Sequence, residues 1–445
     1  MIFDVRTRRY DLHPVVRGVA SGSQREDEKE QHGNRVVDHF SSVSHSPYEQ
    51  AETLEDLRPG LNVVRTLLKL GHFRQAAHAY LGGLSLAVHY NCESHPEQLA
   101  LLEVFFEKGW DCLPEELDRI EGKVLASYAA ESLCALAQYD EALEAHSVTL
   151  QQNLINYELS NILDDVAGIA RTLLAKNKLA QRDRILNLTS ELFEVRQHPE
   201  TLFLSWLYRY EQLGILGQFA RASEIWDKLD PLGRGWSREF YRSGDAEAKH
   251  AIIQHLEGTL QEHHLTTAER LAAKGKNRFA IRNLHGLRGA WRLEQGEWEL
   301  AAASFAEAVR MARVSGISDA DSETGLALAK QHLGQLAEPE REAERLAQQR
   351  KPAHRTLAQL WLALRDAEQA KHHALAAYRW AWADGEPYVH RYELTKTTEL
   401  LRQMNVPVPQ LPPYDPVTDE PFPWEADVRA AIEKLRAKKE GEENE

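Results

Sequence analysis

Hydrophobic residues recur at i, i+3, i+4 and i+7 from about residue 50 to residue 400, and no stretch alternates with a period of two. Ala and Leu occupy most of these apolar positions, and Gly, Asn or Pro interrupts the pattern at short intervals. The pattern predicts helix after helix joined by tight turns, and hence an all-α chain.

One motif recurs along these helices. An apolar helix end leads into a turn, then an aromatic residue or Leu, Ala (once Arg) three positions later and a bulky residue (once His) four further on. It reads Gly71-His72-Phe73 with Ala76 and Tyr80, then Ala137-Gln138-Tyr139 with Ala142 and His146. It returns as Asn177-Lys178-Leu179 with Arg182 and Leu186, and as Gly217-Gln218-Phe219 with Ala222 and Trp226. The fullest copy is Gly296-Glu297-Trp298 with Ala301, Phe305 and Ala308, preceded by Gly289. A weaker copy runs Arg365-Asp366-Ala367 with Ala370, Ala374 and Ala377. Positions 142, 182 and 222 are 40 residues apart, and the gaps 76 to 142, 222 to 301 and 301 to 370 are 66, 79 and 69. Each wider gap has room for one degenerate unit, giving roughly eight or nine helical hairpins in a row. Small residues at Gly289, Ala301 and Ala308 let paired helices approach, and Trp298 and Phe305 fill the spaces where hairpins stack. A single hairpin cannot bury its apolar face, so the row is the folding unit.

The residues Gly289, Gly296, Trp298, Ala301, Phe305 and Ala308 resemble the signature of the tetratricopeptide repeat. The units here are about 40 residues rather than 34, which implies longer helices. Such long units look like the sensor arrays of bacterial STAND/NB-ARC-type signal-transduction ATPases, which combine a nucleotide switch, a winged helix and a C-terminal solenoid. The segment Arg9-Tyr10-Asp11-Leu12-His13-Pro14-Val15-Val16-Arg17 resembles the "hydrophobic-x-His-Pro-Leu-x-Arg" stretch that closes the winged helix of those ATPases. The resemblance implies a right-handed α-solenoid with a small winged-helix remnant at its N-terminus. The expected divisions are a winged-helix remnant and linking helix over 1–49 and the solenoid over 50–405. A Pro-rich extended spacer follows over 406–424, then a C-terminal helix and tail over 425–445. That helix is expected from about Glu425 to Lys438, with Val428, Ile432 and Leu435 on one face and disorder beyond.

Charge and motif content narrow the function. Among 445 residues, 53 are Lys or Arg and 68 are Asp or Glu, so the net charge of −15 argues against nucleic acid and anionic membranes as partners. Three cysteines, no apolar leader and no long apolar run point to a soluble cytoplasmic protein. No phosphate-binding Gly-x-x-x-x-Gly-Lys-Ser/Thr and no Gly-x-Ser-x-Gly occurs, so neither an enzyme nor a cofactor is expected. His89, Cys92, His95 and Cys112 match no strong zinc template, and the pairs His263-His264 and His372-His373 point to different helix faces, so no metal is expected either.

Binding candidates remain. The ninth position of each repeat, which the resemblance places in the groove, falls at Arg65, Glu131, Arg171, Glu211 and Ala290, and alternating charge there suits a peptide or protein. A second candidate is the run Arg270, Lys274, Lys276, Arg278, Arg282, Arg288 and Arg292, with no acid between residues 270 and 292. Its field opposes that of the rest of the chain, making it the expected main partner contact. The resulting expectation is a non-enzymatic sensor or protein-interaction module for a protein or peptide partner, including an ATPase domain encoded separately. The alternatives are a free-standing adaptor scaffold and a ligand-responsive transcriptional co-regulator.

Overall fold

The computed structural model describes residues 2–4, 9–11, 25–156, 159–196, 199–236 and 243–443. One short hairpin, β1 (Ile2–Asp4) paired antiparallel with β2 (Arg9–Asp11), places Phe3 opposite Tyr10. Every other regular element among the described residues is helical. The His13-Pro14 step of the expected winged-helix remnant, with the rest of residues 12–24, lies outside the described residues.

The chain divides into two compact units, residues 1–88 with 114–122, and residues 89–113 with 123–445. The first holds α1 (Glu26–Ser42), α2 (Leu54–Lys69) and α3 (Phe73–Leu81). Thr53 and Asp56 form a reciprocal cap that starts α2, with the Thr53 N–H donating to the Asp56 carboxylate at 2.9 Å. Buried Leu57, Leu61, Val64 and Leu67 on α2, and Ala76, Ala77 and Tyr80 on α3, form the contact between these two helices.

The second unit runs through α4 (His95–Leu102), α5 (Arg119–Ala135) from Lys123 onward, α6 (Tyr139–Asn156), α7 (Leu159–Ala175) and α8 (Leu179–Arg196). It continues with α9 (Pro199–Ile215), α10 (Phe219–Trp236), α11 (Asp245–Glu257), α12 (Glu262–Lys274) and α13 (Arg278–Glu294). Next come α14 (Trp298–Ser315), α15 (Ala320–His332), α16 (Pro339–Ala347), α17 (His354–Ala363), α18 (Ala367–Trp382) and α19 (Arg391–Gln403). From α7 to α17 the first helices of successive hairpins also touch, α7 on α9, α9 on α11, α11 on α13, α13 on α15 and α15 on α17, and Arg355 of α17 reaches Glu393 of α19.

The recurring turns have one geometry. Gly71, Ala137, Asn177, Gly217, Gly296 and Arg365 are all left-handed, with φ between +60° and +74°. In each turn the following N–H reaches back to a carbonyl five residues earlier at 2.8–3.0 Å, as in Gln138 to Leu133 and Glu297 to Arg292. This closure satisfies a carbonyl that the helix end would otherwise leave open, and the next helix starts one residue later. The small residues that follow, Ala76, Ala142, Ala222, Ala301 and Ala370, are all essentially buried.

Phe305 and Trp298 do not share the packing role expected of both. The Phe305 ring lies so close to Gly289 and Gly325 that a Cβ there would sit 2.6 Å or 2.4 Å from it, so this crossing requires glycine. Trp298 is half-buried and stacks on His332 with ring centroids 4.0 Å apart.

The C-terminal segment is seated rather than free. Val406, Val408 and Leu411 pack against the core of α18 and α19, and the Trp382 indole donates to the Pro412 carbonyl at 2.7 Å. The final helix, α20 (Glu425–Glu443), lies on α8, and Trp424, Val428, Ala431, Ile432 and Leu435 share one core with Leu150, Ile162, Ile185 and Leu192. It therefore continues past Lys438, where disorder was expected, because its apolar stripe has a surface to bury against. At its start Arg184 meets Glu425 at 3.1 Å and also pairs with Asp419.

Candidate partner-binding surfaces

Three of the groove candidates fall on consecutive first helices, Glu131 on α5, Arg171 on α7 and Glu211 on α9. Each is already in an ion pair. Arg171 pairs with Glu131, and Glu211 pairs with Lys249 of α11 and with Arg182 of α8. The result is a wall of charges satisfied between neighbouring hairpins, with Arg171 still 40% and Glu131 23% accessible. Burial would raise the Glu211 carboxyl, but Lys249 and Arg182 outweigh it and hold the group below its ordinary range. Arg65 belongs to the first unit, where it is half-buried and donates to Asn62 at 3.4 Å, and the half-buried Ala290 sits beside Phe305.

Arg182 is the departure from the motif that carries most consequence. It stands where the other hairpins have alanine, and its side chain is wholly buried. Its guanidinium donates to the Ala170 carbonyl at 3.1 Å, to Gln212 and to Glu211.

The basic run is not one open surface. Arg282 is buried and held by Glu93 at 2.7 Å and Asp319 at 3.4 Å. Arg288 pairs with Glu262 at 3.0 Å and with Glu269, and Arg292 pairs with Glu262 at 2.7 Å and Glu297 at 2.5 Å. Lys276 is a left-handed turn residue between α12 and α13, and Arg278 is half-buried at the start of α13. Arg270 and Lys274 are the exposed members, both on α12. The expectation of seven cations acting together is thus corrected, because acids outside the 270–292 window answer three of them.

A feature that the motif did not announce lies where α17–α19 cross the turns of the earlier hairpins. Arg350 donates to the Leu136 carbonyl at 2.9 Å, and Lys351 reaches the Ala175 carbonyl and sits 4.2 Å above the Tyr139 ring. Asn177 donates to the Trp380 carbonyl at 2.8 Å and accepts from His390 Nε2 at 2.6 Å, while Asp384 accepts the Ala180 N–H at 3.0 Å. Further along, Arg355 grips Glu393 at 2.7 Å and faces Glu294 at 3.9 Å; Tyr392 donates to Glu294. His390 is depressed to about 4, first by burial and then by Arg182. Loss of hydration among its neighbours pushes Asp321 up to about 6, with Asp319 and Glu393 adding to the effect. These partners are separated by 38 to 214 residues, beyond the reach of any local spacing.

His89 Nδ1 donates to the Gln98 side-chain carbonyl oxygen at 3.1 Å, and the His89 ring meets that of His95 edge-on at 5.4 Å. Among the described residues no three His, Cys, Asp or Glu side chains converge as a metal site would need, and no helix is long and apolar enough to cross a membrane. Comparison of the chain with protein-family models and with curated proteins gives no match.

Proposed function

We propose that the chain is a tetratricopeptide-like right-handed α-solenoid serving as a non-enzymatic protein-interaction or sensor module, with a winged-helix remnant at its N-terminus. The observation that carries the reading is the wall Glu131–Arg171 and Glu211–Lys249, charged on consecutive hairpins and still partly accessible. A partner with alternating charge exchanges its own groups for these pairs at little net cost, since accessible ion pairs are worth only about 0–1 kcal/mol each. Occupancy is relayed through the polar contacts between α17–α19 and the turns. The partner in this reading is a protein, with the nucleotide-binding subunit of a bacterial signal-transduction ATPase as the first candidate, and the setting is the cytoplasm.

Cross-linking in the cell of origin, followed by peptide mapping, tests this. Cross-links from one partner should fall on α5, α7, α9 and α11, and Arg171→Glu with Lys249→Glu should abolish them while the chain stays folded. A partner whose cross-links avoid these helices, or persist in the double variant, overturns the reading.

A further inference from the structure

The second helices of the hairpins differ in length in a way that leaves a gap. The helices α6, α8, α10 and α14 have 18 residues each, and α16 has 9. At a rise of about 1.5 Å per residue, the shortfall leaves about 13 Å of the neighbouring face without a second helix to cover it. Beside the short α16 a groove of about 450 Å³ is lined by α14, α15, α16 and Leu336 of the intervening turn. Its floor is apolar, with Val309 and Ala327 buried, Leu326 half-buried and Val314 58% exposed.

The rim is cationic. Arg310, Arg313, Lys330 and Arg345 face Glu323 and Glu342, so the lining carries 4 − 2 = +2 in a chain whose net charge is −15. Arg345 is occupied by Glu323 at 2.9 Å and Glu342 at 2.8 Å, and Arg310 by Glu307 at 2.6 Å. Among the described residues Arg313 and Lys330 have no carboxylate within ion-pair distance, although both act on Glu342 at longer range and help hold it below its ordinary range.

We propose that this groove receives an acidic amphipathic helix from a partner protein, about nine residues of which supply the part of a second helix that α16 lacks. An apolar stripe at i, i+3 or i+4 and i+7 seats against Val309, Val314 and Leu326. Asp or Glu beside that stripe meets Arg313 and Lys330, and the positive rim selects acidic helices over basic ones. The groove is built by α14–α16 and the charged wall by α5–α11, so this proposal stands or falls separately from the functional reading above.

The probe is a fluorescently labelled synthetic helix with a leucine stripe flanked by Glu, titrated against the full chain at low and high salt. A Lys-flanked counterpart and oleate serve as comparison ligands. The Glu-flanked helix should bind, weaken with salt and lose about tenfold or more in affinity when Arg313→Glu is combined with Lys330→Glu. Val314→Asp, at a position exposed in the free chain, should weaken binding comparably with an unchanged melting curve. Equal binding of the Lys-flanked helix, or no binding of the Glu-flanked one at about millimolar concentration, overturns the proposal. So does oleate binding in place of the peptide, or a dimer that the same variants dissociate.

Discussion

Arg182 shows how one residue can re-specify a packing position. Five hairpins bury alanine there, whereas this one buries a guanidinium and must return its hydrogen bonds through Glu211, Gln212 and the Ala170 carbonyl. Arg182→Ala leaves a void and half-strands Glu211, and should cost about 3–5 kcal/mol in urea unfolding. Pairing Arg182→Met with Glu211→Gln should recover most of that loss, because it removes both charges while keeping the volume. A second residue-scale expectation concerns acid. Burial depresses His95, with Arg282 and Arg171 adding to the effect; burial also depresses His373 and His390, and each falls to about 4. In the unfolded chain these imidazoles take protons near pH 6.5, and in the folded chain only near 4. Their neutral burial is therefore uncosted above pH 6.5, and stability is lost progressively as the pH falls from 6.5 to 4. Urea midpoints should be clearly lower at pH 5 than at pH 7.5, and equal midpoints would show that these rings reach solvent.

At the scale of the element, the turn between helices is the best-specified part of the chain. Gly296→Ala places a Cβ at φ +74°, a strain of about 1–2 kcal/mol offset by about 0.4–1 kcal/mol of removed unfolded-state entropy, for a net cost of up to about 1 kcal/mol. Ala137→Gly has the opposite sign, relieving the same strain at φ +60° against about 0.4–1 kcal/mol of added unfolded-state entropy, for a net gain of up to about 1 kcal/mol. Thermal melts of the two variants should move in opposite directions. Phe305→Ala should cost about 3–5 kcal/mol, and the half-buried Trp298 distinctly less. These turns could be read from sequence because their chemistry is local: a left-handed residue, a back-reaching N–H and a small residue all fall within ten positions. The charged candidates could be read only in part. Glu211 finds Lys249 38 residues away, and Arg282 finds Glu93 189 residues away, and neither separation is encoded in a helical period. The 270–292 window looked purely basic because its answering acids, Glu262, Glu269, Glu297 and Glu93, lie just outside it or far from it. The short α16 left no mark on the motif, since its hairpin is one of the degenerate ones.

For the whole molecule, a row of hairpins held only by neighbours would unfold piece by piece. Here the second unit adds contacts that bridge distant parts of the chain, and α20 on α8 is the most apolar of them. Trp424 is 1% exposed, so Trp424→Ala should cost about 3–5 kcal/mol and speed amide exchange in α6 and α8. Exchange in α14 and α15, none of whose residues belongs to the core that α20 joins, should stay unchanged; unaltered exchange in α8 would show that α20 merely rests on that core. The same placement has a consequence for how the protein is made. Arg184 and its partner Glu425 are 241 residues apart, so at roughly 5–20 residues per second the ribosome needs about 12–48 s to deliver the second after the first. Throughout that interval the Ile185, Leu188 and Leu192 face of α8 lacks its cover. The nascent chain thus carries an exposed apolar strip for most of its own synthesis, a ready docking point for a chaperone and a site of aggregation when translation stalls.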